Sequence, residues 1–333
     1  MTVEILKKWL EEERIILVDV GVRGGVHARW TRLAPILRVI GFDADAAECT
    51  AINDQSKSPP YPLHCFPYAL GRRDGERRTL QFTRQLGCSS LYAPNAKFVN
   101  EFHYGWAFEN IANQPVIVTT LDTVCRNEKF LPDFLKIDVQ GSGLDILFGS
   151  ETILPHILAL EIEVEFSPIY VGEPLFSDID TYLREHGFIL LGLRRTFWRR
   201  KYSSELPLTP LGGQIIHGDV IYINARRIWQ ENNIDIKGIL KFCAILSAYR
   251  QEDLLAKLLM EPHQALERLS EHERKKIFFE LMHRPSTASK VLRKILRLAN
   301  MISGTKLDNT RLRALVDALK DPTATDWHDP DFF

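Results

Sequence analysis

A glycine-rich turn after the first apolar segment carries residue types that suit a nucleoside ligand. It reads Asp19-Val-Gly21-Val-Arg-Gly-Gly25 and follows residues 15–18 directly. Glycines in such a turn let a ligand approach the backbone at a helix N-terminus. Asp43 ends a second apolar segment, 22 residues after Gly21, where a carboxylate can accept hydrogen bonds from both ribose hydroxyls. The alternative is a plain strand-to-helix turn with a surface aspartate.

Asp138 is a second candidate, in the segment Phe134-Leu-Lys-Ile-Asp138-Val-Gln140-Gly141. It lies at the end of a predicted buried strand, and open α/β sheets bind their ligands at the carboxyl ends of strands. A carboxylate there could orient a donor, hold an acceptor hydroxyl or bind a metal. The alternative is an N-cap for the helix that follows.

Two further groups could act as acid or base. Glu161, Glu163 and Glu165 alternate with apolar residues, so all three are expected on one side of a strand. Like charges so close raise at least one pKa, as a general base requires, unless this side is simply solvated. His217 precedes the last predicted strand and is a second base candidate, with a structural histidine as the alternative. Together with Asp138 these side chains could bind a divalent cation, but their spacing does not require one.

These segments resemble the motifs of the FkbM-type methyltransferases, which read Asp-Val-Gly-Ala-Asn-x-Gly, then Phe-Glu-Pro, then Lys-Ile-Asp-Val-Glu-Gly-x-Glu. The corresponding segments here are residues 19–25, 42–44 and 136–145, and the resemblance extends over about residues 14 to 224. Further matching pieces are Ala69-Leu70-Gly71, Ser89-Ser90-Leu91 and Thr120-Leu121-Asp122. The chain departs from the motifs at three positions, where Arg23 replaces Asn, Asp43 replaces Glu and Gln140 replaces Glu.

The resemblance implies an α/β fold with the Rossmann-like class I methyltransferase sheet, mostly parallel with an antiparallel last strand. It implies S-adenosylmethionine as cofactor and methyl transfer to hydroxyls of sugars, polyketides or related natural products. An aliphatic hydroxyl is a weak nucleophile that needs a base or a metal. We predict three catalytic residues: Glu163 or His217 as the base, and Asp138 to position the donor or the acceptor. The predicted donor-binding residues are Asp19, Gly21, Gly25, Asp43, Leu70 and Asp138.

The elements that would position these residues alternate regularly between strands and helices up to about residue 225, which predicts a parallel sheet covered on both sides. Predicted strands are residues 15–20, 39–43, 63–70, 116–120, 134–139, 157–166, 188–193 and 220–224, with a helix at 26–37 and a possible hairpin return at 79–82. The aromatic-rich residues 88–113 are expected to form an active-site excursion with short helical turns. We predict a methyltransferase domain at 1–225, a helical C-terminal region at 226–320 and a loose tail at 321–333.

Composition limits the class of protein. A net charge of −1 excludes a whole-molecule basic field for nucleic acid. The five cysteines are scattered without a C-x-x-C pair, which argues against a disulfide framework or zinc knuckle and favours the cytoplasm. The first 13 residues read as a short amphipathic helix rather than a signal peptide, and no apolar run approaches the roughly 20 residues of a membrane span.

Residues 194–201 hold five cations and two aromatic side chains. We interpret them as a solvated hairpin end, with contact to a phosphate-bearing acceptor or a membrane surface as alternatives. The expected partner is a small-molecule or glycan acceptor and not a nucleic acid, and a homodimer through the C-terminal helices is a further hypothesis. Two other functions stay open at this point: an NAD-type dinucleotide-binding oxidoreductase, which the glycine spacing opposes, and a non-catalytic Rossmann-like binding module.

Overall fold

The computed structural model describes residues 3–55, 60–201, 213–230, 234–261 and 263–282 of the chain. The first half contains α1 (Glu4–Leu10), β1 (Ile15–Val20), β2 (Leu37–Phe42), α2 (Ala46–Gln55), β3 (Leu63–Phe66), β4 (Ala69–Leu70), β5 (Arg77–Thr83), α3 (Ala96–Val99), β6 (Asn110–Thr119) and α4 (Leu121–Glu128). The second half contains β7 (Phe134–Ile137), α5 (Gly143–Phe148), β8 (Ala159–Glu165), α6 (Phe176–Glu185), β9 (Phe188–Trp198), β10 (Gln214–Asn224), α7 (Ile236–Ala248), α8 (Glu252–Met260) and α9 (Glu271–Leu281).

The main sheet has seven strands in the order β3-β2-β1-β7-β8-β10-β9. Strands β3, β2, β1, β7 and β8 pair in parallel, whereas β10 is antiparallel to both β8 and β9. Most residues of β1, β7 and β8 are buried, as their continuous apolar sequences predict for strands covered on both faces. The class I methyltransferase sheet, mostly parallel with an antiparallel last strand, is therefore confirmed.

Three local predictions are wrong in detail. The predicted strand 63–70 is broken after Phe66, because Pro67 has no N–H for a sheet ladder. Its second part, β4, leaves the main sheet and joins a small sheet of order β4-β6-β5. Strand β5 contains the predicted hairpin return 79–82 but pairs with β6 instead. The helix predicted at 26–37 is a 3₁₀ helix, Ala28–Ile36, that contains Pro35.

The first helix after the sheet packs on the same core as the strands. Nearly all of α7 from Ile239 onward is buried, together with Leu6 of α1 and Leu17 of β1. Tyr249, at the end of α7, packs its ring 5.4 Å from that of Phe134 and donates a hydrogen bond to the Glu161 carboxylate. The proposed boundary near residue 225 stays a prediction. The part of the predicted helical C-terminal region beyond residue 282 and the predicted tail at 321–333 lie outside the described residues.

The prediction that the cysteines form no disulfide is wrong for one pair. Cys49 of α2 and Cys65 of β3 form a disulfide, although no disulfide was expected. Sequence spacing does not reveal the pair, because helix α2 folds back along β3 and brings their Cα atoms to 5.2 Å. Cys88, Cys125 and Cys243 are free and buried. In the part of the chain that the structure describes, no helix is both long and apolar enough to span a bilayer.

Replacing Tyr249 by Phe is expected to lower the free energy of unfolding by about 1–3 kcal/mol. The reason is that Glu161, 5% exposed, would lose the hydroxyl that donates to it, and water could not easily replace it. Urea denaturation followed by circular dichroism measures this loss.

Tyr222→Phe is the matched control. The Tyr222 hydroxyl donates to Asp180 Oδ1 at 2.9 Å, but the Asp180 side chain is 20% exposed and water can take the place of the hydroxyl. A loss in this variant equal to that of Tyr249→Phe would contradict the role given to the burial of Glu161.

Candidate functional site

A cleft opens where the carboxyl ends of β1, β2 and β7 meet. Its polar side is formed by Gly21, Asp43, Asp138 and Gln140, and apolar side chains line much of the rest, among them Leu70, Leu80, Phe82 and Leu91. The position agrees with the rule that open α/β sheets bind ligands beyond the carboxyl ends of their strands. A pocket with one apolar and one polar wall suits a ligand that has a base at one end and hydrogen-bonding groups at the other.

The structure brings most of the predicted donor-binding residues together. Gly21, Asp43, Leu70 and Asp138 all line the cleft. Asp19 lies beneath it, 1% exposed, and pairs with Lys136. Gly25 lies at the far end of the turn, where its N–H donates to Val22 O at 2.8 Å. Any influence of Asp19 on a ligand would therefore pass through Lys136.

The glycines of the turn fit a ligand that lies close to the backbone. Gly21 has a φ of +83°, and a Cβ atom there would lie 1.9 Å from the carbonyl oxygen of Asp138. Gly24 and Gly25 also have positive φ, of +76° and +88°, but a Cβ atom at either would meet open space. Gly21 is thus required by the close approach of two chain segments, whereas Gly24 and Gly25 leave room beside the turn.

Asp43 keeps one carboxylate oxygen available to a ligand. Its Oδ1 accepts from the Asp45 N–H at 2.8 Å, and its Oδ2 lies 3.8 Å from Arg23 Nε, longer than a hydrogen bond. Arg23 is held instead by Asp45 at 2.8 Å and Glu48 at 3.0 Å. Burial raises the pKa of Asp43, although the Asp45 N–H and Arg23 oppose this. The Oδ2 atom of Asp43 can accept a hydrogen bond from a ribose hydroxyl of adenosylmethionine. Arg23, which replaces the asparagine of the family motif, does not displace Asp43.

A half-buried lysine sets the charge of Asp138. Lys136 Nζ lies 3.2 Å from Asp138 Oδ2 and 3.3 Å from Asp19 Oδ1. Burial alone would lower the pKa of Lys136, but the two carboxylates outweigh it and raise that pKa. Burial also opposes ionisation of Asp138, yet Lys136 lowers the pKa of this carboxyl below its usual range. Asp138 is therefore a carboxylate at the edge of the cleft.

Glu163 and His217 form a carboxylate–imidazole pair next to Asp138. Glu163 Oε1 lies 3.0 Å from His217 Nδ1. Burial and the charge of Asp138 raise the pKa of Glu163, although His217 opposes them. Burial lowers the pKa of His217, but the hydrogen bond and charge of Glu163 outweigh it and leave the pKa above its ordinary value. The two predicted base candidates are thus partners rather than alternatives.

The three glutamates of β8 lie on one side of the strand, as their alternation predicts, and they are not solvated. Glu161 is 5% and Glu165 1% exposed. Glu161 lies 3.5 Å from Arg29 Nη1, which provides a buried counter-charge. Burial, Glu163 and Glu173 raise the pKa of Glu165 well above its usual range. Burial likewise raises the pKa of Glu173 to about 8, so this corner of the site holds protons at neutral pH.

Sequence reasoning missed several members of the site. Gln140 was recognised only as a departure from a motif, yet its side chain contacts both Asp138 and Glu163. Lys136 had a usable signal, because it lies two residues before Asp138 and so points to the same face of β7. Tyr170 and Glu173 lie in a loop between β8 and α6, and no spacing rule connects them with the site.

Aromatic side chains cover the side of the site near His217. Residues 88–113 were predicted as an excursion with helical turns, and the structure has short helices there at Ala96–Val99 and His103–Phe108. Tyr104 packs 5.6 Å from Trp198, and the Trp198 ring lies 6.1 Å from that of His217. Tyr104 is 40% exposed, so this wall is accessible from solvent.

The cationic segment 194–201 is partly neutralised by ion pairs. Arg194 Nε donates to Asp219 Oδ2 at 2.9 Å across the β9–β10 hairpin, and Arg200 Nε lies 3.4 Å from Glu101. Residues 194–198 lie within β9 and not at the predicted solvated hairpin end, and Trp198 is buried. Within the described ranges, no group of three or more His, Cys, Asp or Glu side chains has an arrangement that could hold a metal ion.

The model of the methyltransferase FkbM domain matches residues 19–190, which is just over half of the chain. The chain belongs to the FkbM methyltransferase family. It is an S-adenosylmethionine-dependent methyltransferase, and S-adenosylmethionine is its cofactor. The family assignment replaces the oxidoreductase alternative that the glycine turn had left open.

Solved structures similar to this FkbM methyltransferase are distant in sequence. Magnesium protoporphyrin IX methyltransferase of Synechocystis with bound SAM is 10% identical, with a TM-score of 0.32 over 67% of this chain and 77% of that one. TrmK of M. capricolum with S-adenosyl-homocysteine is 8% identical, with a TM-score of 0.31 over 84% and 94%. A SAM-dependent methyltransferase of Agrobacterium tumefaciens is 12% identical, with a TM-score of 0.34 over 67% and 60%. No curated protein sequence matches the chain.

Gly21→Ala and Gly24→Ala are expected to differ in stability. Both add a Cβ at positive φ, which costs about 1–3 kcal/mol, but only the Cβ at position 21 meets a backbone carbonyl. That clash adds about 1–3 kcal/mol more. Urea denaturation of the two variants measures the difference, and equal losses would contradict the close approach of Gly21 to Asp138.

The free energy of unfolding of Glu173→Gln, relative to that of the wild type, is expected to increase as the pH rises. A carboxyl whose pKa is raised by folding, here to about 8, contributes stability at low pH that is lost as the pH rises through that pKa. A neutral glutamine avoids this loss, so the variant should gain on the wild type by up to about 1.4 kcal/mol per pH unit between the two pKa values. Urea denaturation at several pH values between 5 and 8 measures the trend.

Glu185→Gln, on the exposed side of α6, is the control for the loss of one carboxylate. Its stability relative to the wild type should change little with pH. A pH-independent difference for Glu173→Gln would show that Glu173 is already ionised in the folded protein.

Proposed function

We propose that this enzyme is an O-methyltransferase whose acceptor is a hydroxyl of a sugar, a glycan or a secondary metabolite. The observation that supports it is the pair formed by His217 Nδ1 and Glu163 Oε1, 3.0 Å apart and next to Asp138. A hydroxyl has to lose its proton as it attacks, and an imidazole oriented by a carboxylate is a group suited to accept it.

The residues proposed to hold the donor divide by chemistry. When bound, S-adenosylmethionine supplies an electrophilic methyl group on a positively charged sulfur. Asp43 Oδ2 accepts hydrogen bonds from the ribose hydroxyls, and Leu70 provides apolar contact for the base. The backbone at Gly21 and Gly25 admits the ligand to the turn. Asp138 provides negative charge beside the donor, and Asp19 fixes Lys136, which in turn orients Asp138.

The proposed proton acceptor is Nε2 of His217. Glu163 Oε1, 3.0 Å from Nδ1, favours the tautomer that carries its proton on Nδ1 and leaves a lone pair on Nε2. Nε2 would take the hydroxyl proton as the acceptor oxygen bonds to the methyl carbon. The carbon–sulfur bond would break with its electrons going to sulfur, adenosylhomocysteine would leave, and Glu163 would stabilise the imidazolium. The exposed ring of Tyr104, which packs on Trp198 beside His217, suits contact with a ring-shaped acceptor.

The remaining proposals concern partners and location. We infer that the enzyme acts on a small-molecule or glycan acceptor and does not bind nucleic acid. The cytoplasm remains the proposed location, although the Cys49–Cys65 disulfide removes the support that the scattered cysteines gave it. We also propose that the enzyme forms a homodimer through its C-terminal helical region and makes peripheral contact with a membrane.

Donor binding is tested by isothermal titration of the wild type and Asp43→Ala with adenosylmethionine, adenosylhomocysteine and NAD. We expect micromolar binding of both adenosyl ligands by the wild type, loss of that binding in the variant, and no heat with NAD. Asp253→Ala, an exposed position on α8, should bind as the wild type does. A folded wild-type sample that gives no heat with either adenosyl ligand would overturn the proposal.

The proposed base is tested by transfer of labelled methyl groups to a panel of sugar and metabolite hydroxyls. His217→Gln should lower kcat by about 100- to 10,000-fold and leave adenosylhomocysteine affinity unchanged. Wild-type activity should fall as the pH drops through the raised pKa of His217, because the protonated ring cannot accept a proton. His272→Gln, exposed on α9, is the control. Full activity in His217→Gln would remove His217 from the mechanism.

A further inference from the structure

We propose that Gln140 is a positioning residue that fixes the Glu163 carboxylate and, through it, aligns the His217 ring. The inference rests on the proposed function of His217. It assigns a role to a residue at which this chain departs from the family motif.

The backbone at Gln140 is held in an uncommon conformation. Its φ is +56°, in the left-handed region that a residue with a side chain seldom adopts. The Ser90 hydroxyl donates to the Gln140 carbonyl at 2.5 Å, and Gly141 follows with a φ of +88°. Surrounding contacts therefore maintain a strained turn, and strained residues concentrate at functional sites.

The two ends of the Gln140 amide meet groups of opposite hydrogen-bonding character. Its Nε2 donates to Glu163 Oε2 at 2.5 Å and lies 3.5 Å from Asp138 Oδ1. The hydroxyl of Tyr170 lies 3.0 Å from Gln140 Oε1 and 2.8 Å from Cys88 O, so its hydrogen is shared between two carbonyl oxygens. Carboxylates accept and a hydroxyl can donate, and this fixes which end of the amide faces Glu163.

The orientation of Gln140 determines that of Glu163. One carboxylate oxygen of Glu163 accepts from Gln140 and the other faces His217 Nδ1. With Oε2 fixed by Gln140, Oε1 stays 3.0 Å from His217 Nδ1, and rotation of the carboxylate away from the ring would break the Gln140 hydrogen bond. A glutamate at position 140 could not donate this hydrogen bond when ionised, whereas the glutamine donates it at every pH.

Charged groups face His217 from four strands. Glu163 belongs to β8, Asp138 follows β7, and Asp219 belongs to β10. Arg194 of β9 neutralises Asp219 through a hydrogen bond of 2.9 Å. Asp138 disfavours the ionised form of Glu163, so removal of the Gln140 donor would favour its protonation and deprive His217 of its charged partner.

The experiment follows the histidine directly and needs no acceptor. Protein labelled with ¹⁵N at histidine gives the pKa and tautomer of His217 by NMR, with the signal assigned by its loss in His217→Gln. Glu163→Gln gives the pKa that His217 has when its neighbour at position 163 carries no charge. Gln140→Met keeps the side-chain length but has no donor, and Gln114→Met, exposed on β6, is the control.

In Gln140→Met we expect the pKa of His217 to fall most of the way to its value in Glu163→Gln, with loss of the single Nδ1–H tautomer. Tyr170→Phe keeps the Gln140 amide but removes the hydroxyl that donates to its Oε1. This variant should shift the pKa of His217 less, in the same direction, and it replaces Gln140→Met if that variant fails to fold. A shift in Glu163→Gln without one in Gln140→Met or Tyr170→Phe would overturn the role of Gln140 and leave the proposed base intact. No shift in any variant would overturn the pairing itself, whereas activity of His217→Gln tests the proposed function separately.

Discussion

The arrangement of the site depends on one cation, the half-buried ammonium group of Lys136. It lies between Asp19 of β1 and Asp138 at the end of β7 and contacts both carboxylates. Without it, the buried carboxylate of Asp19 and the partly exposed carboxylate of Asp138 would repel each other with no counter-charge between them. With it, the ends of two neighbouring strands are held together and Asp138 is ionised at the cleft. The glycine turn and the Glu163–His217 pair are arranged around this fixed carboxylate.

On the side of β8 that carries three glutamates, neighbouring side chains again determine the state of each carboxyl group. Each glutamate has a different set of partners: Arg29 and Tyr249 at Glu161, Gln140 and His217 at Glu163, and a second carboxyl group, Glu173, near Glu165. The partners change from cationic to acidic along the strand, and the expected protonation changes with them. One alternating sequence thereby supplies three carboxyl groups with different partners, and burial raises the pKa of all three.

Much of the parallel sheet could be predicted from sequence, because strands buried on both faces read as short continuous apolar runs and the resemblance covers them. Residues at strand ends, such as Asp43 and Asp138, could also be predicted to meet, since parallel strands end at one edge. The break at Pro67, the disulfide between α2 and β3 and the 3₁₀ helix at Ala28–Ile36 depend on tertiary packing that periodicity does not encode. The partnership of Glu163 with His217 depends on the antiparallel register of β8 and β10, in which His217 lies opposite Glu165 and Asp219 opposite Glu163.

The contact between Tyr249 and Glu161 has a consequence for how sequences of this type can diverge. The carboxylate lies in the sheet and the hydroxyl that donates to it lies at the end of α7, beyond the residues that the family model matches. A lineage that lost or exchanged the segment after β10 would lose the Tyr249 side chain that contacts Glu161 and Arg29. The two charged groups would then lack this contact. Glu161 and the residue at position 249 are therefore expected to covary, and the matched domain and the first helix after it should be inherited as one unit.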